Sequence, residues 1–151
     1  MIKIKADSLD DTKKIALILS RLLKTGDIVA FNGNLGVGKT AFIRFLIQKF
    51  LPTEEVPSPT FTLLQTYETP SFPIFHFDLY RLDKPDDVFE LGIEDAFVEG
   101  VSLIEWPEKM QKLLPSRKVL FVDIVCEGNT RYFNFHSENP LWIKRLEQWG
   151  K

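Results

Sequence analysis

The sequence predicts an α/β fold of three layers, with helices on both faces of a central mixed, mostly parallel sheet. Three observations carry this. Short apolar runs such as "DIVAF", "FPIFHFDL" and "VSLIE" have strand length and alternate with stretches whose apolar residues recur at helical spacing. The glycine-bracketed stretch "GNLGVGKT", Gly33 to Thr40, lies between one such run and one such helix, the strand, loop and helix order of a phosphate-binding loop. Near the C-terminus "RKVLFVDIV" and "TRYFNFH" flank the turn residues "CEGN" and read as a hairpin, which makes the sheet mixed rather than purely parallel.

In chain order, Ser8 is an N-cap for a helix through "LDDTKKIALILSRLLK". Its acids sit in the first turn, where the helix dipole favours negative charge, and Gly26 is the stop signal. Met1 to Asp7 are assigned no element. "DIVAF", Asp27 to Phe31, reads as a buried strand. After the glycine loop "TAFIRFLIQKF" is a helix that stops before Pro52, and "PTEEVPSPT" is a proline-punctuated loop. From Phe61 "FTLLQTYE" alternates as a strand, and "FPIFHFDL" is another after a turn through Pro70 and Ser71. "KPDDVFELGIEDAF" reads as one or two short helices broken at Gly92, followed by the buried strand "VSLIE" and a short helix opened by Pro107. In the tail "PLWIKRLEQWG", Trp142, Leu146 and Trp149 fall at helical spacing and are expected to pack on the core. The expected organisation is a nucleotide-binding domain over residues 1–136 with a helical tail, residues 137–151, docked on it.

A chain of 151 residues can bury about two-thirds of its unfolded surface in one domain. The formal net charge of -2 gives no global attraction to nucleic acid, and Lys109, Lys112, Arg117 and Lys118 form only a local basic cluster, read most simply as a solvated face. Cys126 is the single cysteine and forms no internal disulfide; its place in "VLFVDIVC" suggests a buried thiol. "MIKIKADSLD" lacks the basic-then-apolar layout of a signal peptide, and no apolar run approaches the ~20 residues of a membrane span. The expected location is the reducing cytoplasm, with no membrane partner.

The spacing G-x-x-x-x-G-K-T sets the chemistry. Backbone N–H groups of Asn34, Leu35, Gly36, Val37, Gly38, Lys39, Thr40 and Ala41 form the expected phosphate cradle. Lys39 reaches the outer phosphates and Thr40 offers oxygen to Mg²⁺. Hydrolysis also needs carboxylates, and Asp78 in "IFHFDLYR" and Glu105 in "VSLIEWPE" each close an apolar strand. In a parallel sheet both reach the C-terminal edge where the loop opens. Strand alternation puts His76 and Asp78 on one face and Phe75 and Phe77 on the other. His76 alone reads as a hydrogen-bonded core residue, and no second His or Cys stands at zinc spacing.

The set "GNLGVGKT", "SPTFTLLQTYE", "HFDLYRL", "ELGIEDAF" and "IEWPEK", in that order, resembles the bacterial TsaE (YjeE) family of P-loop ATPases over about Ser8 to Phe135. The resemblance implies a P-loop NTPase-like fold and an ATPase that uses ATP and Mg²⁺ in forming threonylcarbamoyladenosine next to the tRNA anticodon. It further implies TsaD, which transfers the threonylcarbamoyl group, and TsaB as partners, with tRNA met indirectly through that complex. By motif match Lys39, Asp78 and Glu105 are the catalytic set, Thr40, Asp78 and Glu105 the metal set, and Trp106 the aromatic beside the nucleotide. Ser58 and Thr60 belong to a switch-like loop. Asn34 stands where the family usually has Asp, which puts a catalytic role for that side chain in doubt.

Two other classes share the loop. A small-molecule kinase would want an acceptor pocket and an arginine-bearing lid, whereas Arg44, Arg81, Arg117, Arg131 and Arg145 are scattered. A non-catalytic nucleotide-binding module would not need Asp78 and Glu105 at strand ends.

Overall fold

In the computed structural model, which describes residues 1–149, seven strands hydrogen-bond into one sheet. They are β1 (Ile2–Ala6), β2 (Ile28–Asn32), β3 (Leu64–Glu68), β4 (Pro73–Asp78), β5 (Val101–Glu105), β6 (Leu120–Glu127) and β7 (Thr130–Ser137). Their order across the sheet is β1-β7-β6-β2-β5-β4-β3. The central strands β6, β2, β5 and β4 run parallel, and β1, β7 and β3 pair antiparallel at the flanks. Strands β2 and β5 are the apolar runs of the sequence, and every residue of β5 is buried, as a parallel strand covered on both faces requires.

One face is covered by α1 (Leu9–Leu22), α2 (Lys39–Phe50) and α4 (Pro140–Leu146). Ser8 caps α1 by accepting from the Asp11 N–H at 3.1 Å. The helix ends at Leu22, ahead of Gly26, and Asp27 takes the next free N–H, that of Lys24, at 2.6 Å. Helix α2 buries Phe42, Ile43, Leu46 and Ile47 on one stripe. Phe42 meets the rings of Phe31, Phe133 and Phe135. A fully buried phenylalanine of this kind contributes on the order of 3 kcal/mol. Helix α4 puts Trp142 and Leu146 into the same core, and Trp149 lies 4.7 Å from Phe135, ring to ring. The other face carries α3 (Ile93–Glu99) and 3-10 segments over Pro85–Leu91 and Pro107–Leu113, packed on Ile28, Ala30, Phe77 and Ile104. Gly92, at φ 75°, is the break between the first of these segments and α3.

Three sequence readings are corrected. Met1 to Asp7 include a strand: Ile2 and Ile4 face the core while Lys3 and Lys5 point out. The lysines keep this edge from pairing with another chain. The strand placed from Phe61 begins at Leu64, because Leu63 turns at φ 66° and its N–H bonds back to Pro59. Cys126 is exposed rather than buried. It shares the parity of Leu120, Val122 and Ile124, but β6 runs past the core there into the hairpin turn, and its thiol donates to the Gly128 carbonyl at 3.3 Å. No helix among the described residues is long and apolar enough to cross a membrane.

Candidate active site

The C-terminal ends of the parallel strands meet at one edge of the sheet, and the glycine loop leaves β2 there. Two of its glycines are sterically required. At Gly33, φ 156°, a Cβ would lie 2.7 Å from Val37 Cγ1 and 2.8 Å from the Ile124 carbonyl oxygen. At Gly38, φ 111°, it would lie 3.0 Å from Arg131 Nε. Val37 is buried and anchors the loop, while Asn34, Leu35 and Gly36 form an exposed tip. Gly38 is the N-cap of α2 and offers no side chain, so the first N–H groups of that helix remain available to an anion.

Lys39 is 4% exposed. Its Nζ donates to the Gly33 carbonyl at 2.5 Å and stands 3.5 Å from the centroid of the Trp106 ring. Burial pushes its pKa below the usual lysine range, opposed in part by the carboxylates of Glu105, Glu108 and Asp78. Among the described residues it makes no salt bridge. The cation is therefore held by a carbonyl and a π face, both weaker partners than an anion.

The acids are set by strand register. Asp78 and Glu105 are direct neighbours across β4 and β5, and His76 lies on the same face two residues earlier. The Thr40 hydroxyl, on the first turn of α2, points at both oxygens of Glu105, at 3.0 and 3.2 Å. His76, fully buried, lies 2.7 Å from Glu105 Oε2 through its Nε2. Asp78 accepts from Ser58 at 3.0 Å, Thr60 at 3.2 Å and the Tyr80 N–H at 3.1 Å. The proline-punctuated loop is thus tied by its hydroxyls to the acid that ends β4.

Leu35, Gly36, Gly38, Lys39, Thr40, Ala41, Ser58, Thr60, Asp78, Glu105 and Trp106, all singled out in the sequence, line one cavity of about 280 Å³ together with Tyr80. Asn34 and Val37 do not line it; they border a second cavity of about 390 Å³ on the other side of the loop, with Asn32 and Asp123. Mg²⁺ takes hard oxygen donors and keeps several waters. One hydroxyl and two buried carboxylates fit that partial shell, and no group of three or more His, Cys, Asp or Glu side chains converges among the described residues. Sequence reasoning missed Tyr80, whose ring lies 5.0 Å from Trp106, and read His76 as a hydrogen-bonded core residue, which its full burial and its bond to Glu105 match. The partner of His76 was not in the sequence pattern, although strand alternation in "HFDLYR" put it on the face of Asp78.

Comparison with known proteins agrees with this geometry. The family model described as "Threonylcarbamoyl adenosine biosynthesis protein TsaE" matches residues 6–133. The chain is 41% identical over 137 residues to the tRNA threonylcarbamoyladenosine biosynthesis protein TsaE of Rickettsia prowazekii, covering 90% of this chain and 95% of that one. It is 49% identical over 151 residues to the protein of the same description from Rickettsia felis, covering 91% and 88%. The crystal structure of YdiB from Bacillus subtilis superposes with a TM-score of 0.77 at 25% identity, over 97% of this chain and 92% of that one. A family match that runs from the end of β1 into β7 takes in the loop, both acids and Trp106, and so the chain belongs to the TsaE family.

Proposed function

We propose that this TsaE-family chain is a Mg²⁺-dependent ATPase, accessory to the formation of threonylcarbamoyladenosine in tRNA, which works with TsaB and TsaD and meets tRNA through them. The observation that carries the ATPase reading is the convergence of Lys39, Thr40, Asp78 and Glu105 on one cavity at the start of α2. The N–H groups of the loop and of the α2 N-terminus bind the phosphate chain. Lys39 leaves the Gly33 carbonyl and the Trp106 face for the β and γ phosphates, gaining a charge-assisted bond. Thr40, Asp78 and Glu105 would hold Mg²⁺, which supplies charge neutralisation of the terminal phosphates when bound. Glu105, oriented by His76, and Asp78, held by Ser58 and Thr60, fix acceptor oxygens where attacking water must be aimed. Trp106 and Tyr80 wall the cavity and exclude bulk water. The hydroxyls of Ser58 and Thr60, which hold Asp78, sit on a loop whose closure would bring them toward the terminal phosphate.

The test is phosphate release from ATP by the purified chain, alone and with TsaB and TsaD, beside multiple-turnover tRNA modification. Slow hydrolysis alone, acceleration by the pair, and loss of repeated modification cycles without the chain are expected. An unchanged rate with the pair and dispensability for modification would overturn the accessory role. Transfer of labelled γ-phosphate to a small metabolite without partners would establish a kinase instead.

A further inference from the structure

Arg131 stands 94 positions from Val37 in sequence, and the sheet brings it to the glycine loop. Strands β6 and β7 lie on the side of β2 opposite β5 and β4, so Arg131, near the start of β7, approaches the loop from the side away from Asp78 and Glu105. Its Nε–H donates to the Val37 carbonyl at 2.7 Å. Its stem occupies the room that Gly38 leaves: a Cβ at Gly38 would lie 3.0 Å from Arg131 Nε, 3.4 Å from Cδ and 3.8 Å from Cζ.

A guanidinium has five N–H donors in a rigid fork. Arg145, which serves the fold, directs its Nη1 to the Leu22 carbonyl and the Asp27 carboxylate. Arg131 engages Nε alone, and among the described residues its Nη groups have no protein acceptor and no salt-bridge partner. The result is a half-buried cation, fixed at one nitrogen, with a free forked edge beside a loop shaped for phosphate.

We infer that Arg131 is a nucleotide-binding residue whose Nη edge takes an oxygen of the inner phosphates, at the end of the polyphosphate remote from the acids. This rests on the ATP-site reading above. Lys39 then serves the outer phosphates and Arg131 the inner ones, so ADP and ATP both feel its loss. Gly38 is favoured by its own backbone angle, φ 111°, and a Cβ there would crowd the arginine at 3.0 Å.

Titration calorimetry with Mg·ADP and Mg·ATP on the wild-type chain, Arg131→Gln and Arg131→Lys tests this. Both replacements can donate to the Val37 carbonyl, and only lysine keeps the charge. Arg131→Gln is expected to weaken both nucleotides by about tenfold and to flatten the salt dependence of binding, while Arg131→Lys stays within about threefold. Equal behaviour of the two variants, or glutamine binding within about twofold of wild type, overturns the inference and leaves the ATP-site reading standing. A wild-type chain that binds neither nucleotide overturns both. Should Arg131→Gln fail to fold, wild-type protein labelled with ¹⁵N-arginine decides. Arg131 Nη signals, assigned with Arg131→Lys, must shift on saturation with Mg·ADP, and unmoved signals overturn the inference.

Discussion

A buried charge flanks each end of β2, and the two are held in opposite ways. Before the strand, Asp27 accepts from the Lys24 N–H at 2.6 Å and from Arg145 at 2.7 Å. Arg145 in turn donates to the Leu22 carbonyl and lies 4.3 Å from the Trp142 ring centroid. The carboxylate at that end is paired with a cation and an amide N–H on one oxygen, Oδ2, and the pair fastens α4 to the sheet. Beyond the other end, Lys39 is as deeply buried but holds only a carbonyl oxygen and an indole face. A buried charge held in an ion pair organises structure, whereas one held by weaker, exchangeable partners is poised for an incoming anion.

Removing the poised charge should separate activity from stability most sharply. Lys39→Ala is expected to lower ATP turnover at least about a hundredfold, since it deletes the cation directed at the transferred phosphate. The melting temperature should hold or rise, because the variant no longer buries an ammonium that lacks a salt-bridge partner among the described residues. A large fall in melting temperature would mean that Lys39 serves the fold and would erase the contrast. Asp78→Ala and Glu105→Ala should likewise lower kcat more than nucleotide affinity, as measured by phosphate release and calorimetry.

The reverse outcome is expected at the ion-paired end. Arg145→Met leaves Asp27 buried without its cation, a loss of about 3 kcal/mol in urea unfolding, with turnover unchanged at temperatures where the variant is folded. Lost turnover in a folded variant would show that α4 communicates with the site.

These two ends were unequally legible in the sequence. "GNLGVGKT" could be read because its chemistry lies within eight consecutive residues, Gly33 to Thr40, and Asp78 and Glu105 because a strand end in a parallel sheet has a fixed place. The bond between His76 and Glu105 depends on the register of β4 against β5, across 29 residues. The place of Arg131 depends on strand order, which puts β6 beside β2 and β7 beside β6. Neither register nor order is written in a local pattern. The strand Ile2–Ala6 is different: its five residues do alternate, at the short end of a strand signal, and its partner β7 lies at the far end of the chain. Cys126 misled because an apolar run does not tell where a strand outlasts its core.

A smaller effect tests whether His76 belongs to the poised end or only to the core. His76→Gln keeps a donor near the position of Nε2, and His76→Phe keeps the ring volume without it. If His76 orients Glu105, the phenylalanine variant should need more Mg²⁺ for half-maximal turnover and lose about tenfold in kcat, with glutamine recovering most of both. Equal losses in the two variants would make it a packing residue.

The smallest expected effect is the pH dependence of folding, and it can show both ends of β2 at once. Burial raises the Asp27 pKa above 3.8, more strongly than Arg145 and the Lys24 N–H lower it. Between 3.8 and that raised value the folded chain binds more protons than the unfolded one. The stability of wild type relative to Asp27→Asn should therefore be greatest below 3.8 and fall as pH rises through the raised value. Burial lowers the Lys39 pKa below 10.5, so there the unfolded chain binds more protons. Relative to Lys39→Met, wild-type stability should rise as pH climbs through the depressed value toward 10.5 and be lost again on the way down. Urea unfolding across pH in metal-free buffer gives both difference curves. Nucleotide then discriminates the two ends, because a polyphosphate beside Lys39 favours its charged form and should flatten only the alkaline slope. An alkaline slope that nucleotide leaves intact would mean the anion does not meet Lys39, and an acid slope that nucleotide changes would mean the ion-paired end is not independent of the site.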